Sequence, residues 1–374
     1  MPRALLLCEY PALNGGERSL LAVLPTLQQA GWEFDALAPA NGALADALAG
    51  CGIENIATSQ WLSPSVIRHD DRYRQIGEVL TARRYDLVHA NSLSTSVLSG
   101  TVSHDFHVPT IGHLRDIVGL SRAKVALLNL HSRLLAVSEA VRLFHHSQGL
   151  DAAKIEVLYN GIDLDAYRPT SHSGALHREL GIAPWARLIG IVGQLIVRKG
   201  QVVALGAAMA SMQMRSDVHV VVIGTRHSTK HETVEYERNL HSIVAACGLA
   251  DRIHFLGTRL DMPRLYPALS LLLHTARQEP LGRVLLEAAA CGVPVVATDI
   301  GGTREIFPRE ELDGALLVPV DDVAATEAAV ARILDNESKS AAMSIAGRNR
   351  IACAFSVEQS AAGLLRHYAE VSGR

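Results

Sequence analysis

Short apolar runs alternate with longer amphipathic stretches almost from one end of this chain to the other, and few folds accommodate that rhythm. Apolar runs without polar alternation fit strands buried on both faces, the condition of parallel sheets whose crossover helices cover both sides. In the first half the strand candidates are Ala4–Cys8, Phe34–Ala38, Leu87–Ala90, Thr110–His113, Leu134–Val137 and Ile155–Leu158. In the second they are Leu188–Val192, Val218–Ile223, Ile253–Leu256, Leu269–His274, Val293–Thr298 and Ala315–Val318. The pattern therefore predicts an α/β protein with a parallel sheet in each half.

A chain of 374 residues suits two domains of ordinary size. The periodicity breaks between Asn160 and Leu180, where Gly161, Pro169, Ser171, Ser173 and Gly174 gather turn-forming residues. The linker is expected near Arg168–Ser173, which gives a first domain over 1–168 and a second over 174–355. The last amphipathic stretch, Val357–Val371 within 356–374, has no strand after it to pack beside and is expected to cross back to the first domain. With 48% hydrophobic and 20% charged residues, the composition is that of a globular protein and argues against disorder. A formal net charge of -3 and only 5% aromatic residues argue against a nucleic-acid partner. Cys8, Cys51, Cys247, Cys291 and Cys353 are odd in number and far apart, so neither disulfides nor a zinc site is expected and a reducing cytoplasm suits them. No stretch approaches the ~20 apolar residues of a membrane span, so any membrane contact is expected to be peripheral, at the inner face.

The richest segment chemically runs from Glu279 to Asp299. Gly282 falls where a helix would begin after a strand, and Gly292 where it would end before the next. Glu279 then precedes a helix N-terminus, and Glu287 lies about two turns further on. Free N–H groups at such an N-terminus suit anions and sugar oxygens, and a glycine permits close backbone approach. A carboxylate aimed at that spot can accept bonds from hydroxyls, while one further along can hold a ribose diol. Two solvated helix-end acids have the same spacing, so the pattern alone leaves both readings open. A second loop-helix junction follows at Gly301-Gly302-Thr303-Arg304-Glu305. Upstream, Gly193-Gln194-Leu-Ile-Val-Arg198-Lys199-Gly200 places two cations just after a strand. A lysine there can neutralise a diphosphate as a point charge, although a solvated basic loop would look the same.

Taken in order with Gly15-Gly16-Glu17-Arg18, Val137-Ser138-Glu139, Asn160-Gly161-Ile162-Asp163, Phe255-Leu256-Gly257 and Gly292-Val293-Pro294-Val295-Val296, these residues make the chain similar to family 4 of the retaining glycosyltransferases. That family has the GT-B fold, two Rossmann-like parallel-sheet domains facing across a cleft. The resemblance covers nearly the whole chain. It implies transfer of a sugar from a UDP- or GDP-sugar to an acceptor hydroxyl with retention of configuration, without metal or other cofactor. Glycan, lipid-linked or small-molecule acceptors fit, in the setting of cell-surface polysaccharide or glycoconjugate synthesis. By the same resemblance Lys199 binds the diphosphate, Glu279 the donor sugar's hydroxyls and Glu287 the ribose. Leu281, Gly282 and Arg283 face the donor as well. His113, in Thr110-Ile-Gly-His113-Leu-Arg115-Asp116, matches a histidine beside the reacting sugar, and Gly15 and Gly16 match the loop that approaches the phosphates.

One position departs from the family. Arg usually follows the glycine equivalent to Gly193, and this chain has Gln194, which removes a bidentate phosphate donor. Either Arg198 supplies the charge from the same loop or the chain depends more heavily on Lys199. Asp163-Leu-Asp165 has the D-x-D form of a metal site in another glycosyltransferase fold, but its place beside Asn160-Gly161 speaks against that use. The arginines between Arg68 and Arg84 are interrupted by Asp70, Asp71 and Glu78, a mixed solvated face rather than a membrane-facing one. A nucleotide-sugar 2-epimerase and a catalytically silent nucleotide-sugar binder are the rival readings. A dinucleotide oxidoreductase is weaker, because no G-x-G-x-x-G follows the first strand.

Overall fold

The computed structural model describes residues 1–56, 69–171 and 174–374. Two compact units emerge, one formed by Met1–Gly161 with Ser356–Arg374 and the other by Ile162–Phe355. The break thus falls ahead of the 168–173 stretch expected as the linker. The reason is local, for Arg348 donates to the carbonyls of Tyr167 at 2.6 Å, Ala290 at 2.9 Å and Leu164 at 3.1 Å, which ties the segment after Gly161 into the second unit.

Among the described residues the first unit is built on seven parallel strands, β1 (Arg3–Leu7), β2 (Glu33–Leu37), β3 (Glu54–Asn55), β4 (Leu87–Ala90), β5 (Thr110–Leu114), β6 (Arg133–Ala136) and β7 (Ile155–Val157), in the order β3-β2-β1-β4-β5-β6-β7. Strand β1 shows why the sequence reads this way. Ala4, Leu6 and Cys8 enter one hydrophobic cluster and Leu5 and Leu7 another, so successive side chains fill opposite faces of the sheet. The final helix, Val357–Ser372, starts on a Ser356/Gln359 capping box and packs Ala361, Leu364 and Tyr368 into the cluster that holds Leu20, Leu24 and Trp32. Only β3 escaped the sequence reading, because two residues leave no apolar run to detect.

The second unit holds β8 (Arg187–Val192), β9 (Val218–Ile223), β10 (Ile253–Gly257), β11 (Leu271–His274), β12 (Val295–Thr298) and β13 (Ala315–Val318), all parallel, in the order β10-β9-β8-β11-β12-β13. In each sheet the chain works outward in one direction and then restarts on the other side of its first strand. The switch points are β1/β4 and β8/β11. Ligands of open parallel sheets bind beyond the carboxyl ends of the strands at such points. None of the five cysteines forms a disulfide, and no described helix is long and apolar enough to cross a membrane.

Candidate active site

At the β8/β11 switch of the second unit two loops are stitched together. The loop after β8 ends in a single tight turn, Val197–Lys199, closed by Gly200 at φ 64°. A Cβ on Gly200 would lie 1.9 Å from the Thr275 carbonyl oxygen, so neither its backbone angle nor its surroundings accept another residue. Thr275 Oγ1 donates to the Gly200 carbonyl at 2.8 Å, and the Arg277 amide donates to the Arg198 carbonyl at 2.8 Å. The Gln194 carbonyl accepts from Gln201 Nε2 at 2.7 Å, which fixes the start of the same loop.

This stitching delivers Lys199 to Glu279. Their side chains form an ion pair with only 14% and 6% of their surfaces exposed. His274, the last residue of β11, donates through Nε2 to the same carboxylate oxygen at 2.7 Å. Burial works against the Glu279 charge, but Lys199 and His274 outweigh it and hold the carboxyl well below the usual range. Burial likewise pushes the His274 imidazole down, against the pull of its bond to Glu279. The helix Arg283–Ala290 then begins after Gly282, with Leu281 buried beneath it. One turn along, Glu287 accepts from Arg283 Nε at 2.8 Å and from Tyr266 Oη at 2.9 Å. Gly302 donates its amide to the Glu279 carbonyl at 3.0 Å, so the Gly301-Gly302 turn supports the backbone of the Glu279 loop. The helix that follows it, Thr303–Ile306, is a single turn and offers little dipole for an anion.

In the first unit, Gly15 and Gly16 open the helix Gly15–Gln29 after β1. The Arg115 side chain crosses so near that a Cβ on Gly16 would sit 2.9 Å from its Cδ. Arg115 donates to Asn91 Oδ1 at 2.7 Å, to the Asn91 carbonyl at 2.9 Å and to Asn160 Oδ1 at 2.8 Å. His113, near the end of β5, is buried with its Nδ1 3.1 Å from Arg115 Nη2 and 3.2 Å from His89 Nε2. Burial, Arg115 and His89 drive its imidazole well below its ordinary value. Glu9, beyond β1, accepts from Ser92 Oγ at 2.9 Å across the β1/β4 switch.

Lys199, Glu279, Leu281, Gly282, Arg283 and Glu287 thus converge with Arg198 and Gln194 around the switch point of one sheet. Gly15, Gly16 and His113 lie around that of the other. Sequence reasoning missed His274, Tyr266, His89 and Tyr368, since a lone histidine or tyrosine inside an apolar strand or helix reads as core. Asp163 Oδ1 accepts the amides of Asp165 and Ala166, each at 2.9 Å, so the D-x-D segment is a capped turn. Arg68 lies outside the described residues, and Arg74 and Arg83 pair with Asp71 at 3.1 Å and Asp35 at 2.8 Å, a mixed surface. Among the described residues one group of His and carboxylate atoms, Glu156, His367 and Glu370, is close enough to share an ion. Arg133 already pairs with both of its acids.

Residues 13–166 match the model of Glycosyltransferase Family 4, and residues 174–350 match that of Glycosyl transferases group 1. Among curated relatives, the lipopolysaccharide core biosynthesis mannosyltransferase LpsB of Rhizobium meliloti is 33% identical over 57% of this chain and 60% of its own length. A D-inositol 3-phosphate glycosyltransferase of Salinispora tropica is 28% identical over 78% of this chain and 65% of its own. The chain therefore spans less than two thirds of these relatives. Among solved structures, HepE of Anabaena in complex with UDP superposes with a TM-score of 0.84 and 25% identity, covering 99% of this chain and 100% of that one. The two family models, which between them take in nearly the whole chain, and the shared architecture assign it to glycosyltransferase family 4, with the GT-B arrangement of two Rossmann-like parallel-sheet domains.

Proposed function

We propose that the chain is a retaining, metal-independent glycosyltransferase that moves a sugar from a nucleoside diphosphate to an acceptor hydroxyl. The observation that carries this reading is the buried Glu279 carboxylate, kept charged by Lys199 and His274 at a sheet switch point, with Glu287 on the helix that starts there. In the reaction the bond from the anomeric carbon to the diphosphate oxygen breaks and a bond to the acceptor oxygen forms on the same face. The acceptor's proton passes to the leaving phosphate oxygen, so no separate base is required. An ammonium has three donors, and its pairing with Glu279 leaves Lys199 able to meet the departing diphosphate. Glu279 orients sugar hydroxyls and opposes the positive charge that develops on the ring. The names of the relatives, one a mannosyltransferase of lipopolysaccharide core, and the UDP held by HepE support a nucleotide-sugar donor and a cell-surface or lipid-linked glycan acceptor. We place the enzyme in the cytoplasm, meeting such acceptors as a peripheral protein at the inner face of the membrane.

The deciding experiment incubates the chain with UDP- and GDP-sugars with and without an acceptor panel, and reads the product's anomeric configuration by NMR. Nucleotide diphosphate released only with acceptor, and a product keeping the donor's configuration, support the proposal. Inversion, release without acceptor, or binding without turnover overturns it. Transfer is expected to persist in excess chelator, and complete loss restored by manganese would overturn metal independence.

Glu287 gives a separable prediction. Its two oxygens are held by Arg283 and Tyr266, which aligns the carboxylate without neutralising its capacity to accept from a diol. Glu287→Gln is expected to weaken nucleotide binding by on the order of tenfold, with turnover at saturating donor changed far less. Calorimetric titration with the bare nucleotide diphosphate checks it.

A further inference from the structure

The histidine of the first unit does not stand alone. Tyr368 Oη on the final helix lies 2.7 Å from His89 Nδ1, His89 Nε2 lies 3.2 Å from His113 Nδ1, and Arg115 Nη2 lies 3.1 Å from that same Nδ1. All three rings are buried, with His89 and Tyr368 fully enclosed. Arg115 sets the direction of the whole chain of bonds. A guanidinium has donors and no acceptor, so the atom it meets on His113 must carry a lone pair. His113 Nδ1 is therefore unprotonated, and the neighbouring His89 Nε2 can bond to it only by donating. A neutral His89 protonated on Nε2 has its lone pair on Nδ1, so Tyr368 must donate there. Burial pushes His89 down to about 3, which keeps that ring neutral at physiological pH. The proton of neutral His113 is left on Nε2. That atom is buried and has no partner among the described residues, and its ring borders a small cavity shared with Arg115, Ser19 and Asn160.

We propose that His89 and Tyr368 are positioning residues which, with Arg115, fix His113 as the Nε2–H tautomer, so that it offers a substrate hydroxyl oxygen a hydrogen-bond donor and no lone pair. Which oxygen it meets rests on the sugar-transfer reading above, whereas the tautomer is a property of the chain alone. The arrangement rules His113 out as the base that takes the acceptor's proton. It also makes the final helix a working part of the first unit's site through Tyr368.

The test is long-range proton–nitrogen correlation NMR on the full chain labelled with 15N-histidine, near pH 7.5, with His113 assigned by its disappearance in His113→Gln. A protonated Nε2 and a bare Nδ1 on His113 support the proposal. In Tyr368→Phe, His89 loses its donor and can take its proton on Nδ1, so the His89 signals should shift to a mixture of tautomers, while the bare His113 Nδ1, still held by Arg115, should shift as its bond from His89 weakens. In the same variant kcat should fall by on the order of tenfold while the donor KM stays within about twofold. His89→Gln, whose amide can still donate to His113, should retain more turnover than His89→Leu. A His113 protonated on Nδ1 in the unaltered chain, or one whose signals do not respond to Tyr368→Phe, overturns the proposal whatever the activity. If the tautomer and its response are as expected but no sugar is transferred, the functional reading fails and the tautomer assignment stands.

Discussion

Lys199→Ala is expected to lower turnover by on the order of a hundredfold or more, the scale of losing one principal donor to a developing anion. It will also lower the melting temperature, which a loop lysine read from sequence alone would not suggest. Lys199 is largely buried against Glu279, and removing one partner of a buried pair leaves the other charge uncompensated, at a cost of about 3–5 kcal/mol. The two effects must be separated before the loss is read as chemistry. Adding Glu279→Gln to Lys199→Ala removes the stranded carboxylate and should recover most of the lost stability. Turnover should stay at or below that of the single variant, since neither the cation for the phosphates nor the carboxylate for the sugar is then present. Melting curves and rates per folded molecule decide the matter. If the double variant regains turnover along with stability, the pair is structural and the electrostatic step proposed for Lys199 fails.

Much of this molecule could be read before its structure. Strands such as Val218–Ile223 announce themselves because burial on both faces leaves no polar alternation, and glycines such as Gly282 and Gly292 mark helix ends whose backbone angles other residues resist. The pairs inside the site were less accessible. Lys199 and Glu279 are separated by eighty positions, and only the order β8-β11 in the sheet makes them neighbours. His274 looked like the polar end of an apolar run, and Tyr368 like one more apolar residue on an amphipathic helix. Their roles depend on which atom meets which, at distances that composition and spacing do not encode. The split after Gly161 differs from the linker expected at 168–173 for a related reason. Proline and glycine in 168–174 signal a change of direction, but Arg348 decides which unit owns the segment before it.

The same buried histidines make a second large prediction, that the first unit unfolds in mild acid. His89 is pushed down to about 3 and His131 to about 4 by burial, and His113 lies well below its ordinary value for the same reason. Unfolded, each would titrate near 6.5. Below that pH the unfolded chain binds more protons than the folded one, so stability falls as pH falls, and each ring goes on withdrawing it until its own folded value is reached. By pH 5 one such histidine removes about 2 kcal/mol, and three together, about 6 kcal/mol, reach the lower end of the 5–15 kcal/mol that typically holds a domain folded. The second unit contributes His274 to the same trend, while the Glu279 carboxylate adds its share only below about 4.5, where an unfolded glutamate would protonate. A melting temperature that drops steeply between pH 6.5 and 5, with far less change between pH 8 and 7, is the expected record. His131 supplies the control, because it bonds the Ser96 carbonyl through Nε2 at 2.7 Å and belongs to neither proposed binding loop. His131→Gln keeps an amide donor for that carbonyl and removes the titration, so it should narrow the difference in melting temperature between pH 7.5 and 5. A wild-type melting temperature that stays level from pH 7 to 5 would mean that these rings find protons or water in the folded state, and the neutral relay from Tyr368 to His113 would lose its physical basis.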